Sequence, residues 1–197
     1  EAHAWMAVQA AVEMRHRLVH FNRHRPVSQK IKIGIGINSD SVISGNIGSS
    51  KRMEFTAIGD GVNLGSRLEG ATKLYGTDIV ISESTYAPCQ DQIWARELDR
   101  IRVKGKNKPV CIYDLIGLKA EPLPEQKKRS IELYAEGREL YLARKFTKAM
   151  TPFGTILEEI DSTDKAAQLY LERCQYWLSH PPTDEEWDDG VWTLKEK

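Results

Sequence analysis

The spacing of apolar positions changes several times along this chain, and each change predicts a new element. From Ala2 to Phe21, Trp5, Val8, Val12, Leu18 and Val19 recur at three-to-four spacing, with Met6, Ala10 and Met14 widening the apolar face. That predicts an amphipathic helix. No capping residue stands before it, which raises the expectation that the chain was cut from a longer protein. After Pro26 the period falls to two. Ile31, Ile33, Ile35 and Ile37 alternate with Lys32, Gly34 and Gly36, predicting a strand over 30–38. The glycines occupy its other face, where an element or a ligand can approach closely. Further strands are expected over 41–47 and 53–58. Gly59-Asp60-Gly61 is a turn signal. Val62, Leu64, Leu68 and Ala71 then predict a helix over 62–74, with Gly76 where a C-terminal cap belongs. Short strands follow over 78–81, 93–103 and 110–116.

The pattern changes again after residue 117. Residues 118–126 hold two prolines and no apolar period, as a linker does. Residues 127–197 read as helices: one marked by Leu133, Leu140 and Tyr141, a second over 146–160 and a third over 166–178. Pro152 and Gly154 inside the second predict a kink or a late start. Trp187 and Trp192 in the acidic tail are expected to fold back onto the protein. Gly137, Ala149 and Phe153 stand at the offsets of a tetratricopeptide repeat, which this extension resembles, although Asp161 stands where the repeat's late proline belongs. One repeat cannot bury its own face. The third helix, the tail tryptophans or the preceding domain would have to cover it. The extension reads either as a partner-binding or dimer-steadying appendage, or as a helical cap over exposed core.

Composition narrows the classes. Apolar residues make up 41% and charged residues 28%, ordinary for a soluble globular protein. The 28 basic and 28 acidic residues cancel, which argues against a general electrostatic grip on nucleic acid or an anionic membrane. No apolar run approaches the roughly 18 residues needed to span a bilayer, and the N-terminus lacks the pattern of a signal peptide. Cys89, Cys111 and Cys174 are three, far apart and without a CxxC pair. A reducing, cytoplasmic setting is expected, with the thiols inert.

The densest chemistry lies between Phe55 and Glu69. This run passes from a strand through a glycine turn into a helix. Asn63 and Arg67 are four apart and share one helical face. They open the helix, where free N–H groups and the dipole favour an anion. A guanidinium fork and an amide there suit a phosphate and a sugar. The alternative is a capping Asn and a solvated Arg. Other signals are weaker. Gly34 and Gly36 lack the third glycine and following helix of a dinucleotide fingerprint. His16 and His20 stand at zinc-binding spacing, but Arg15, Arg17, Arg23 and Arg25 crowd them, as on a solvated basic helix end. Lys51-Arg52 and Lys104, Lys106 and Lys108 suit the phosphates of a small ligand better than nucleic acid.

Several pieces together resemble the second half of a class III nucleotidyl cyclase domain, the family of adenylyl and guanylyl cyclases. They are Gly34-Ile35-Gly36-Ile37-Asn38, Gly45-Asn46-Ile47-Gly48-Ser49, Phe55 through Asn63, Ser66-Arg67-Leu68-Glu69, and Val103-Lys104-Gly105-Lys106 at the expected distance. The resemblance covers residues 1–117. It implies an α+β fold with a twisted, mainly antiparallel sheet (ferredoxin-like, its N-terminal part missing) and a head-to-tail homodimer with the active site between two domains. It implies that the 3′-hydroxyl of a nucleoside triphosphate, ATP or GTP, attacks its own α-phosphate and pyrophosphate leaves. In that chemistry Asn63 orients the ribose and Arg67 stabilises the five-coordinate α-phosphoryl group. Lys104, or Lys106 if the register is off by two, meets the terminal phosphates. Thr56 reads the purine edge, and Phe55 and Gly59 flank it in the substrate site. Threonine there leans toward ATP and cyclic AMP. The alternatives are cyclic GMP synthesis and a non-catalytic dimerisation module. The resemblance also implies Mg2+ or Mn2+, held by two aspartates upstream of residue 1. Asp40 and Asp60 fall in the wrong segments to replace them, so the chain alone is expected to be inactive.

Overall fold

The computed structural model describes residues 2–49, 52–102 and 109–193. In chain order the elements are α1 (Ala2–Asn22), β1 (Ile35–Ile37), β2 (Ile43–Ser49), β3 (Arg52–Ile58), α2 (Asp60–Tyr75), β4 (Ile79–Ser82), α3 (Glu83–Tyr86), β5 (Ile93–Arg102), β6 (Val110–Leu118), α4 (Glu125–Leu142), α5 (Phe146–Thr155), α6 (Lys165–Ser179), α7 (Asp184–Trp187) and β7 (Trp192–Thr193). This is an α+β fold, as expected. Strands β1, β4, β6, β5 and β7 form one sheet in that order, and β2 and β3 form a separate hairpin. The large sheet is mixed. β4–β6 and β5–β6 are antiparallel, whereas β1–β4 and β5–β7 are parallel.

Strand alternation makes the sheet serve two apolar layers. Ile79, Ile81, Tyr113 and Leu115 meet Ala4, Val8, Ala11 and Val12 of α1 on one face. Val80, Leu98 and Ile112 meet α2 and the C-terminal helices on the other, through Leu64, Leu68, Tyr75, Tyr134, Phe153 and Tyr170. Helix α2 approaches β1 closely because Gly36 has no side chain. A Cβ there would strike the backbone oxygen of Gly65 and the amide nitrogen of Glu69. The helix ends at Gly76, whose φ of 68° is left-handed and whose amide bonds the Thr72 carbonyl.

Helices α4 and α5 pack with Gly137 under the Phe153 ring, 2.7 Å from where a Cβ would sit. The interior proline is accommodated. α5 runs through Pro152 and the chain continues as a π-helical turn, Ile156–Ile160, in place of a break. Trp187 folds back as expected, buried against the rings of Tyr141, Phe146 and Trp177. Residues 192–193 return as a backbone strand beside β5.

Several expectations need correction. The strand predicted over 30–38 shortens to Ile35–Ile37, because its partner β4 offers only three pairing positions, Ile79 to Ile81. Upstream, Ile31 is tied to the end of α1 instead, its amide and carbonyl both bonded by the Asn22 side chain. The next strand starts at Ile43 because Asp40 turns the chain, accepting from the Ser41 amide at 2.8 Å. The basic end of α1 is not wholly solvated. Arg15 is half-buried and donates to the carbonyls of Leu115 and Ile116 at 2.9 and 2.7 Å. His16 lies 3.6 Å from Glu121. The three cysteines are free; Cys89 and Cys174 are buried, and burial pushes the Cys174 thiol up to about 12.

Gly36→Ala should lower stability by about 1–3 kcal/mol, since the obstructing atoms are backbone. In a thermal melt followed by circular dichroism, that is a drop of about 2–12 °C in Tm. Gly45→Ala, with nothing within 4 Å of the added Cβ, should shift Tm by no more than about 2 °C.

Candidate functional site

The segment from β3 into α2 carries five of the six expected site residues. Thr56 pairs across the hairpin with Gly45, and Phe55 with Asn46. Both side chains are exposed; Phe55 is 75% accessible. Gly59 follows as the N-cap of α2, with a φ of 143° that glycine tolerates and other residues resist. Its carbonyl accepts the Val62 and Asn63 amides at 3.1 and 3.3 Å. Having no side chain, Gly59 makes no capping bond of its own to the helix start. That geometry suits an anion.

Asn63 is exposed and Arg67 half-buried, one turn apart in α2. The helix holding them is fixed at both ends of this stretch. In its middle it rests on Gly36. At its start, Asn38 Nδ2 donates to the Gly61 carbonyl at 3.0 Å. Asn38 is itself held, because the Ser84 hydroxyl donates to its Oδ1 at 3.2 Å and to the Ser39 carbonyl at 2.7 Å. Asp40 fills the space beside Gly61. Asn38 and Ser84 as supports of the helix start were not among the expected residues. Asn38 was visible as the polar residue ending the isoleucine alternation, but its partner lies 46 residues away.

Lys104 and Lys106 lie outside the described residues. Asp60 is the first residue of α2 and Asp40 lies in the loop after β1. Among the described residues, no group of three or more His, Cys, Asp or Glu side chains gathers closely enough to hold a metal ion. The residues present do not fit a divalent cation by themselves. A cleft of about 840 Å³ opens at the opposite end of α2, lined by Arg15, Gly76, Thr77, Asp78, Arg96 and Asp114 among others. Asn63, Arg67 and Thr56 do not line it. Among the described residues no helix is long and apolar enough to cross a membrane.

The arrangement places an amide and a guanidinium one turn apart near the start of α2, beside the exposed Phe55 and Thr56. A family profile described as the adenylate and guanylate cyclase catalytic domain matches residues 1–117. The terminal-differentiation-specific adenylate cyclase of Dictyostelium discoideum is 33% identical over 171 residues, 85% of this chain and 8% of its own length. That span exceeds residues 1–117, so the likeness runs on into the helical part. An adenylate cyclase of Anabaena cylindrica is 37% identical over 118 residues, 55% of this chain and 24% of its own. The crystal structure of a guanylyl cyclase is 35% identical and superposes with a TM-score of 0.50, covering 58% of each chain. The chain thus spans a small part of the curated relatives it matches.

Asn38→Ala should remove the support of the helix start. The expected cost is about 0.5–1.5 kcal/mol. Amide hydrogen exchange should quicken at residues 61–64 and stay unchanged in the sheet; uniform quickening would show that Asn38 supports the whole fold and not the helix start.

Proposed function

Since the chain belongs to the adenylate and guanylate cyclase catalytic-domain family, we propose that it supplies the transition-state residues of a purine nucleotidyl cyclase. The observation that supports this most is the pair Asn63 and Arg67, one turn apart behind a helix start to which Gly59 makes no side-chain capping bond. In the reaction, the 3′-hydroxyl oxygen of a nucleoside triphosphate bonds to the α-phosphorus. The bond from that phosphorus to the bridging oxygen breaks, pyrophosphate departs with the electron pair, and the hydroxyl proton is released. Asn63 orients the ribose so that the attacking oxygen lies in line. Arg67 faces the equatorial oxygens as the phosphorus becomes five-coordinate. Its attraction grows with the charge that develops there, so it lowers the barrier more than it tightens ground-state binding. Lys104 meets the terminal phosphates, and Phe55, Thr56 and Gly59 border the base. The family's divalent cation, Mg2+ or Mn2+, would neutralise the triphosphate; its ligands are sought upstream of residue 1.

We read ATP as the substrate, on Thr56 and on the two adenylate cyclase relatives. GTP is the second reading, favoured by the 35% identity to the guanylyl cyclase. A hydroxyl donates or accepts, so Thr56 alone suits either base. The exposed apolar residues of the hairpin, among them Ile43, Met53 and Phe55, support a homodimer in which a second copy covers them. Residues 1–117 form the cyclase portion, 118–126 the linker, and 127–197 a tetratricopeptide-like extension that offers a surface to a protein partner. Three free cysteines favour a reducing cytoplasm.

The decisive assay follows product from ATP and GTP separately, with magnesium or manganese, using the chain extended upstream through its metal-binding half. Cyclic AMP from ATP is expected, and the 197-residue chain alone should give none. Arg67→Ala in the extended enzyme should lower kcat by about a hundredfold to a thousandfold with a small change in KM. Cyclic GMP would move the base assignment and keep the mechanism. No cyclic product from either nucleotide would leave the non-catalytic dimerisation module.

A further inference from the structure

Helix α2 has a third anchor, at the end away from Asn63. Asp99 lies on β5, fully buried. Its Oδ2 accepts the Tyr75 hydroxyl and Arg173 Nη1, both at 2.6 Å. Its Oδ1 accepts the Tyr170 hydroxyl at 3.0 Å and the Arg100 amide at 2.7 Å. Arg138 Nη1 stands 3.6 Å from the same Oδ1. It also bonds the Tyr170 hydroxyl and the Leu98 carbonyl, while its Nη2 donates to Glu97 at 2.6 Å. Tyr75 belongs to α2, Arg138 to α4, and Tyr170 and Arg173 to α6. One carboxylate thus collects donors from α2 and from the helical extension. Burial, and then the Asp99 charge, raises both tyrosines well above the usual phenol range, so both remain donors.

The placement matters because hydrogen bonds fix what apolar packing only confines. A greasy contact lets a helix slide by a fraction of an ångström. A charge-assisted bond at 2.6 Å does not. Tyr75 is eight residues beyond Arg67 on the same helix, about 12 Å along its axis. Asp99 therefore holds the far end of the helix that carries Arg67 and Asn63. The extension supplies two of the four hydrogen-bond donors to Asp99, Tyr170 and Arg173, with the Arg138 guanidinium beside them.

We propose that Asp99, with Tyr75 and Arg173, is a positioning site through which the helical extension sets how α2 presents Asn63 and Arg67. On this view the extension is part of the catalytic scaffold, and a partner that shifts α6 tunes turnover without touching the nucleotide. The inference rests on the cyclase reading for its effect on turnover, though not for its effect on the helix.

The test compares Tyr75→Phe, Arg173→Met and Arg173→Lys with Ala149→Gly, a control in the core of α5. In the extended enzyme, Tyr75→Phe and Arg173→Met should lower kcat by about tenfold or more while KM stays within about twofold. Arg173→Lys should recover part of the loss, and Ala149→Gly should stay within about twofold of wild type. In the 197-residue chain, amides 61–75 should exchange faster in Tyr75→Phe than in Ala149→Gly. Wild-type kcat in Tyr75→Phe, or an equal loss in the control, would overturn the proposal. If Arg173→Met does not fold, Tyr75→Phe decides, since it keeps the ring and removes one oxygen. If the wild-type extended enzyme makes no cyclic nucleotide, the cyclase reading fails and exchange alone decides. Selective loosening of α2 then upholds the anchor, and equal exchange in the two variants refutes it.

Discussion

A carboxylate taken out of water must be met by donors, and on the inner face of this sheet that requirement is imposed twice. Asp99 draws in Tyr75, Tyr170 and Arg173. Three residues earlier on the same strand, buried Arg96 donates to Asp164 at 2.6 Å and to Asp114 at 3.2 Å. Asp164 also caps α6, accepting the Ala167 amide at 3.0 Å. Such sites add little net stability compared with a well-packed apolar core, but removing one partner from a buried pair costs about 3–5 kcal/mol. Their effect is on geometry. These pairs join α6 and the residue that caps it to β5 in the register seen.

That register determines what reaches the surface. Helix α2 lies between β1 and the extension, pressed onto Gly36 and tied to Asp99. Its buried stripe of Leu64, Leu68, Ala71 and Tyr75 leaves Val62 and Asn63 exposed and Arg67 half-buried on the other side. Asn63 and Arg67 ride on a helix that Gly36, Asn38 and Asp99 place. The β2–β3 hairpin contrasts with this rigidity, because it belongs to a separate sheet and shows apolar side chains to solvent.

Much of this was legible along the chain. Period-two isoleucines marked β1, the Gly59-Asp60-Gly61 turn and Gly76 bracketed α2, and the runs after residue 118 marked the helices. The strand, turn and helix of the Phe55–Glu69 run were legible because its residues are consecutive, so local spacing carries their layout. What was hidden depends on distant partners. Nothing local marks Arg96, Glu97 and Asp99, because their partners Asp164, Arg138 and Arg173 lie 68, 41 and 74 residues away. The length of β1 was hidden for the same reason. Four isoleucines promise a long strand, but the ladder stops where β4 does. Pro152 promised a kink or a late start, and the helix instead runs through it into a π-helical turn.

The two-residue strand β7 has a consequence of its own. It is too short to add much to the fold, yet it lies along the outer side of β5 at Ile101 and Arg102. Without it, those N–H and C=O groups would form an open border ready to accept a strand from any neighbouring molecule. The tail thus closes that end of the β5 border to a strand from outside. A chain shortened before residue 192 would keep the main core contacts described above and betray the loss by clumping at high concentration well before it melts.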